Sequence, residues 1–294
     1  MLEELKKLSI VKATYYGKVR DIYDLGDKLL IVTSDRISAF DVVFPNLIPD
    51  KGRILNGISV HFFKSTRDIV ENHFITDLTE EYPPELQAFA PQLAGRSMLV
   101  RKTRVIPFEC IVRGYISGSA WNEYKRTNTV GGMMIAEDMQ ESQKFAKALF
   151  TPSTKASEGH DVNISYREML AHMDEWIARF LKDKSLSLYS YAHDLLKKEG
   201  IILADTKFEF GSIGNKIILI DECLTPDSSR FWELDSYQIG KSPKSFDKQY
   251  IRDYLNETGW DKQSQAPKLP EEVIEKTREK YLAIYKIITG KDLT

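Results

Sequence analysis

The sequence predicts an α+β protein built as two lobes, and three observations carry that expectation. The chain has 294 residues, enough for more than one hydrophobic core. The stretches 15–34 and 201–221 each join two strand-like runs through a glycine turn, the pattern of an antiparallel hairpin. Between and after them, apolar residues recur at helical spacing and end at capping residues. A hydrophobic content of 42% and a charged content of 29% are ordinary for a globular protein. The net charge of −2 gives no broad basic surface for nucleic acid or an anionic membrane. Any polyanion must therefore be met by a local cluster of bases. No apolar run approaches the roughly 20 residues that cross a bilayer, and the opening MLEELKKLS lacks a signal-peptide core. The expected location is the cytoplasm. Cys110 and Cys223 lie far apart in strand-like stretches and read as buried thiols.

Taken in order, residues 15–34 form a hairpin entered at Gly17-Lys18 and turned at Gly26-Asp27. One glycine beside Lys18 and Arg20 suggests a phosphate-covering loop or a solvated charged strand, and is neither a Walker loop nor a GxGxxG motif. The segment Ser34 to Asp41 crowds polar residues where a strand ends, which suits either ligand contacts or a self-bonded turn. A helix is expected over 54–64. Residues 98–116 are strand-rich, carry Arg101, Lys102, Arg104 and Arg113, and are expected to break at Pro107. The lobe boundary is placed here. The first lobe spans 1–106, the second spans 107–294 and includes the C-terminal helices, and a nucleotide is expected in the crevice.

Ser119 is the expected N-cap of a helix over 120–126, whose N-terminus suits an anion. Residues 127–165 have few large apolar side chains and predict a long, partly mobile loop with a short helix near 140–148. His160 in this loop has no second His or Cys at ligand spacing, which argues against a metal site. Ser165 and Glu168 form a capping box. It opens a helix to about residue 182, followed by a second over 186–198 that ends at Gly200. Helical character returns around 247–255. A last helix runs from Pro270 to Gly290 with the stripe Ile274, Tyr281, Ile284, Tyr285 and Ile288 against its lobe.

The chain is organised around residues 201–230, IILADTKFEFGSIGNKIILIDECLTPDSSR. At period 2, Asp205, Lys207 and Glu209 share one face and Ala204, Phe208 and Phe210 the other. A hairpin closed through Ile213 and Ile217 would set Glu209 opposite Asp221, with Cβ atoms roughly 5 Å apart. Like charges at that spacing invite a cation, and two carboxylates plus ligand phosphates suit Mg²⁺. A longer loop over 211–215 would pair Asp205 with Asp221 instead, leaving Glu209 about 13 Å along the sheet. The first register is preferred because it pairs Phe210 with Ile220 on the buried face.

A carboxylate pair, a basic hairpin and the cluster Asp227 to Arg230 favour nucleotide-dependent chemistry, which needs positioning and charge neutralisation more than a special nucleophile. No Ser-His-Asp or Cys-His arrangement is apparent. The residues alone leave an ATP-consuming enzyme, a small-molecule kinase among them, and a nucleotide-binding regulatory module. Three acids on one face favour the enzyme.

Several stretches then carry a resemblance: GKVRDIYD at 17–24, SDRISAFD at 34–41, IPDKG at 48–52, ECIVRGYISGSAW at 109–121, FTPSTKASEGHDVNIS at 150–165, LADTKFEFG at 203–211 and DECLTPDSSRFW at 221–232. In this order they resemble the phosphoribosylaminoimidazole-succinocarboxamide synthase (SAICAR synthetase) family. The resemblance implies an antiparallel-sheet lobe and an ATP-grasp-like α+β lobe. It implies a ligase of purine biosynthesis that joins L-aspartate to carboxyaminoimidazole ribonucleotide at the expense of ATP, through an acyl phosphate, with only small molecules as partners. By resemblance, Lys18 and Arg20 contact the ATP phosphates, and Glu209 and Asp221 hold Mg²⁺. Arg113, Ser119 and Arg230 bind the ribonucleotide phosphate, and Asp205, Lys207 and Asp227 surround the reacting carboxylate. Asp35, Ser38 and Lys155 are candidates for aspartate or imidazole contacts. Val162 departs from the family, which usually has an acid there.

Overall fold

The computed structural model describes residues 13–155, 162–262 and 264–293; the opening MLEELKKLS and His160 lie outside them. The chain forms two compact units. The first gathers residues up to 65, 72–103 and those from 247 onward, and the second residues 66–71 with 104–246.

In the first unit, β1 (Ala13–Tyr16), β2 (Arg20–Asp24) and β3 (Lys28–Thr33) form a meander. The expected turn at Gly26 is present, with Leu25 N–H bonded to Lys28 O. β4 (Arg36–Ala39) and β5 (Val42–Leu47) form a separate hairpin. Phe40 and Asp41, both left-handed with φ 51° and 65°, make its two-residue turn. β6 (Phe74–Thr76) and β7 (Ser97–Arg101) complete an antiparallel sheet of order β1-β2-β3-β7-β6. Tyr23, Leu30, Val32, Leu93 and Leu99 fill one of its faces.

The helix Lys51–Ser65 starts three residues before the apolar pattern does, because Asp35 Oδ1 accepts from Gly52 N–H at 2.8 Å and caps it from another segment. Gly52 is required there: a Cβ would lie 2.3 Å from Thr33 O. The C-terminal helices Gln249–Glu257 and Glu271–Thr289 group with this unit, not with 107–246 as expected. The reason is apolar burial. Ile251, Leu255, Val273 and Ile274 share one cluster with Ile37, Ala39, Phe44 and Ile48. The end at Gly290, with φ 68°, is as read from sequence.

The second unit centres on β8 (Arg104–Tyr115) and β13 (Ile201–Ile213). Between them in sequence lie the short pair β9 (Thr129–Val130) and β10 (Met133–Met134), then β11 (Lys144–Phe150) and β12 (Ser153–Thr154). β14 (Lys216–Ile220) and β15 (Ser229–Glu233) follow β13. The sheet runs β11-β8-β13-β14, with β12 also on β8 and β15 also on β13.

Four local expectations are corrected. β8 continues through Pro107: Glu109 pairs with Glu209 and Val105 with Gly211, so β8 carries its extra residues there as a bulge and needs no amide from the proline. Residues 140–148 hold no helix, because Phe145 and Phe150 turn inward from β11 beside β8. The helix after β8 spans Gly118–Thr127, with Ser117 at the N-cap position and Ser119 inside its first turn. The expected break near 183–185 is absent and the second helix runs unbroken over Glu175–Lys198, because Leu181, Ser185, Leu188, Ala192 and Leu196 keep one buried stripe through it. The capping box at Ser165 is present, but the helix it opens stops at Leu170. Cys110 and Cys223 are buried free thiols, and burial raises both above the ordinary thiol value.

Candidate active site

β13 changes partner along its length, and the site forms at the change. On one edge it pairs with β8. On the other it pairs first with β15, as far as Thr206 opposite Ser229, and then with β14 from Glu209 onward. The connection from Asp221 to Ser228 emerges at this gap, where Lys207 N–H bonds Ser228 O at 2.9 Å. A strand that switches neighbours leaves an opening beside its own side chains, and Lys207 sits at the opening.

The hairpin register differs from the expected one by a residue. Ile213 pairs with Lys216 around a two-residue Gly214-Asn215 turn, so Glu209 lies opposite Ile220 and Phe210 opposite Leu219. The shorter loop wins because Gly214 takes the left-handed conformation a tight hairpin needs. Asp221 therefore lies beyond the end of β14. It nevertheless converges with Glu209, since it too is left-handed, with φ 67°, and turns back to the strand.

The Lys207 ammonium marks that convergence. Its Nζ lies 2.5 Å from Glu209 Oε1, 3.1 Å from Glu109 Oε1 and 3.7 Å from Asp221 Oδ2. Lys155 Nζ holds the other oxygen of Glu209, and Ser153 Oγ donates to Glu109 Oε2 at 3.0 Å. Burial opposes the ammonium, but the carboxylates of Glu209, Asp221, Glu109 and Glu222 outweigh it and raise Lys207 well above the ordinary lysine value. Glu109 was not singled out from sequence. It is the residue directly opposite Glu209 on β8. The alternation of Glu109, Ile111 and Arg113 against Phe108, Cys110 and Val112 puts it on the face that bears Arg113.

Two residues back along the same face is a second cluster of opposite charge. Asp205 Oδ2 accepts from Arg113 Nη1 at 3.2 Å and from Arg230 Nη1. Arg113 also donates to Thr151 Oγ1 at 3.0 Å and Ser119 Oγ at 3.2 Å. Arg113 and Asp205 are both 4% exposed. Burial lowers Arg113 from its ordinary value, partly offset by Asp205. Gly118, with φ 55°, lets Arg230 approach, because a Cβ there would sit 2.3 Å from a guanidinium nitrogen. Asp227 lies on the connecting turn, its N–H bonded to Thr225 Oγ1 at 3.2 Å.

Of the residues predicted from sequence, one face of β13 thus gathers Asp205, Lys207, Glu209, Asp221, Arg113, Ser119, Arg230 and Lys155. Lys18, Arg20, Asp35 and Ser38 belong to the first unit. There Lys18 Nζ pairs with Asp41 Oδ1 at 2.5 Å, and Arg20 opens β2. Asp35 is engaged structurally, capping Gly52 with one oxygen and meeting Arg96 Nη2 with the other at 3.2 Å. Ser38 is a buried residue of β4 paired with Val43. Val162 is exposed and pairs its backbone with Thr154.

Among the described residues no group of three or more His, Cys, Asp or Glu is arranged to hold a metal unaided. Glu209 and Asp221 offer hard carboxylate oxygens on one amine, a donor set that fits Mg²⁺ arriving with its own phosphate ligands.

The SAICAR synthetase family model matches residues 13–267. The phosphoribosylaminoimidazole-succinocarboxamide synthase of Thermodesulfovibrio yellowstonii is 52% identical over 280 residues, 95% of this chain and 96% of the relative. That of Geobacter sulfurreducens is 51% identical over 276 residues, covering 94% and 93%. Among solved structures, the Saccharomyces cerevisiae SAICAR synthase complexed with SAICAR superposes with a TM-score of 0.89 at 42% identity, over 97% of both chains. A SAICAR synthetase in complex with ADP gives 0.70 at 26% identity, over 95% of this chain and 99% of its own. Fold and family define an ATP-dependent carbon–nitrogen ligase. Within that class, the chain belongs to the SAICAR synthetase family, whose reaction joins L-aspartate to carboxyaminoimidazole ribonucleotide in purine biosynthesis.

Proposed function

We propose that the two clusters on β13 divide this ligation between them, and that it proceeds through an acyl phosphate. The observation that carries the reading is the Lys207 ammonium held among Glu109, Glu209 and Asp221 beside the Arg113–Asp205–Arg230 cluster. A carboxylate is a poor electrophile until one of its oxygens becomes a leaving group. The substrate carboxylate oxygen attacks the γ-phosphorus of ATP and ADP departs. The neutral amine of aspartate then attacks the acyl carbon, and phosphate leaves with the former carboxylate oxygen while the amine loses its proton.

Arg113, Ser119 and Arg230 bind the ribonucleotide phosphate, for which paired guanidiniums are well suited. Asp205 holds both arginines in place for it, and with Lys207 and Asp227 it borders the reacting carboxylate. Lys207 offsets the negative charge that builds on the transferring group. Lys18 and Arg20 hold the ATP phosphates. Glu209 and Asp221 would hold Mg²⁺ on the nucleotide, where the ion would neutralise phosphate charge; Lys155, 43% exposed, pairs with Glu209. For Asp35 the engaged carboxylate supports a bracing role in place of a substrate contact.

Isotope transfer tests the route. With the substrate carboxylate labelled by ¹⁸O, the released phosphate should carry one labelled oxygen per turnover, and ADP release should require the imidazole substrate. Unlabelled phosphate would remove the acyl phosphate from the route. Label-free transfer of phosphate to a hydroxyl would move the chemistry to a small-molecule kinase.

A further inference from the structure

The turn that carries Lys18 is held from behind by a residue for which no role has been assigned. Gly17 to Arg20 form a tight reversal between β1 and β2, with Gly17 N–H bonded to Arg20 O at 2.8 Å. Gly17 is needed at this point, since a Cβ would lie 2.6 Å from Arg20 O. The next three carbonyls all have partners in the segment that follows β3. Arg36 Nη2 donates to Gly17 O at 3.1 Å and Arg36 Nε to Lys18 O at 3.2 Å. Ser34 donates to Val19 O through both Oγ, at 2.6 Å, and its N–H, at 2.9 Å.

Arg36 is itself fixed. Its Nη2 and Nη1 meet the two oxygens of Asp21 at 2.6 and 3.2 Å, a two-pronged pair, and Asp21 is only 1% exposed. Its main-chain N–H rests on Ser34 Oγ at 3.3 Å.

Peptide geometry turns this bracing into a function. In a planar trans peptide the C=O and the following N–H point in opposite directions. When the carbonyls of Gly17 and Lys18 are both drawn toward Arg36, the N–H groups of Lys18 and Val19 are aimed away from it. Successive amides presented on one side favour an anion. The side chain of Lys18 already meets an anion in front of the turn, the Asp41 carboxylate at the tip of the β4–β5 hairpin. A phosphate oxygen can take the place of that carboxylate on Lys18.

We infer that Arg36 is a positioning residue for the nucleotide: it fixes the carbonyls of Gly17 and Lys18, and so presents the turn to the ATP phosphates without touching them. The inference rests on the reading of Lys18 and Arg20 as phosphate ligands and extends it to the residue that sets their geometry. Its specificity lies in the fork. A guanidinium can satisfy a carboxylate and two carbonyls together, whereas a lysine ammonium at this position supplies the charge without the planar set of donors.

The test measures ADP affinity by calorimetry and the KM of each substrate for Arg36→Lys, Ser34→Ala and Lys18→Ala in the full-length enzyme. Arg36→Lys should weaken ADP and raise the KM for ATP by about tenfold, with the KM values for aspartate and the ribonucleotide unchanged. Ser34→Ala leaves the Asp21 pair intact and should give a smaller rise in the same constant, which covers the case in which Arg36→Lys does not fold. A merely structural role would lower thermal stability and the active fraction while leaving all three KM values alone. ADP affinity unchanged in Arg36→Lys and Ser34→Ala, but reduced in Lys18→Ala, would overturn the inference and keep the nucleotide site. Unchanged affinity in Lys18→Ala would take both down.

Discussion

Two clusters on one face of β13 have opposite charge logic. Around Lys207, three carboxylates converge on one ammonium; around Asp205, two guanidiniums converge on one carboxylate. The first is short of positive charge and stays partly open, with Lys207 22% and Lys155 43% exposed. The second is short of negative charge, with its central pair buried. Under the proposed function each cluster takes the ion it lacks, a cation for the acidic nest and an anion for the arginine clamp. Residues two apart on one strand face lie roughly 7 Å from each other, close enough to serve one substrate and far enough to stay separate.

The comparison breaks most visibly at Lys207. Lys207→Met removes the one cation three acids share, and kcat should fall by about 10²–10³. Urea unfolding should also report a loss on the order of 3 kcal/mol, because the acids are left part-buried without their partner. Near-normal turnover would mean that Lys207 only balances charge in the resting protein. Next in size is Arg113→Gln, which should raise the KM for the ribonucleotide by roughly 10–100-fold and leave that for ATP alone. A matching rise in both constants would show that the clusters do not act on separate ligands.

Metal titration sharpens the same division. Asp221→Asn should raise the Mg²⁺ needed for half-maximal activity by about tenfold or more, whereas Asp205→Asn should not move it. An equal shift in both would take the metal away from the nest. Glu109→Gln should have the smallest effect, about a fivefold loss of kcat, roughly 1 kcal/mol. Glu209 and Asp221 still hold the ammonium in that variant. Loss as deep as that of Lys207→Met would make Glu109 the principal anchor.

Much of this site is legible in the amino-acid sequence. The period-2 pattern puts Asp205, Lys207 and Glu209 on one face because a pleated strand permits nothing else, and all three lie in the clusters described above. The expected pairing of Glu209 with Asp221 does not form: Ile220 lies opposite Glu209 on β14, and the acid opposite it is Glu109 on β8. A hairpin register is decided by one residue of loop length, and Gly214-Asn215 is compatible with more than one loop. Glu109 escapes notice because its partner is distant in sequence, although the alternation in FECIVR contains the signal. Elsewhere, Leu181 to Leu196 read as two helices because periodicity marks a face but does not say where a buried stripe is continuous.

The sequence by itself determined the α+β class, the hairpins within 15–34 and 201–221, the capping box at Ser165, the helix ending at Gly290 and the shared strand face of Asp205, Lys207 and Glu209. These follow from local sterics, spacing and the identity of side chains on one strand face. Only the tertiary structure decided that Asp221 turns back to Lys207, that Glu109 completes the nest, that Arg36 braces the Gly17–Arg20 turn, and that residues 247–293 pack with the N-terminal unit. Each of these depends on which distant segments exclude water together, and a single strand or helix does not encode its partner.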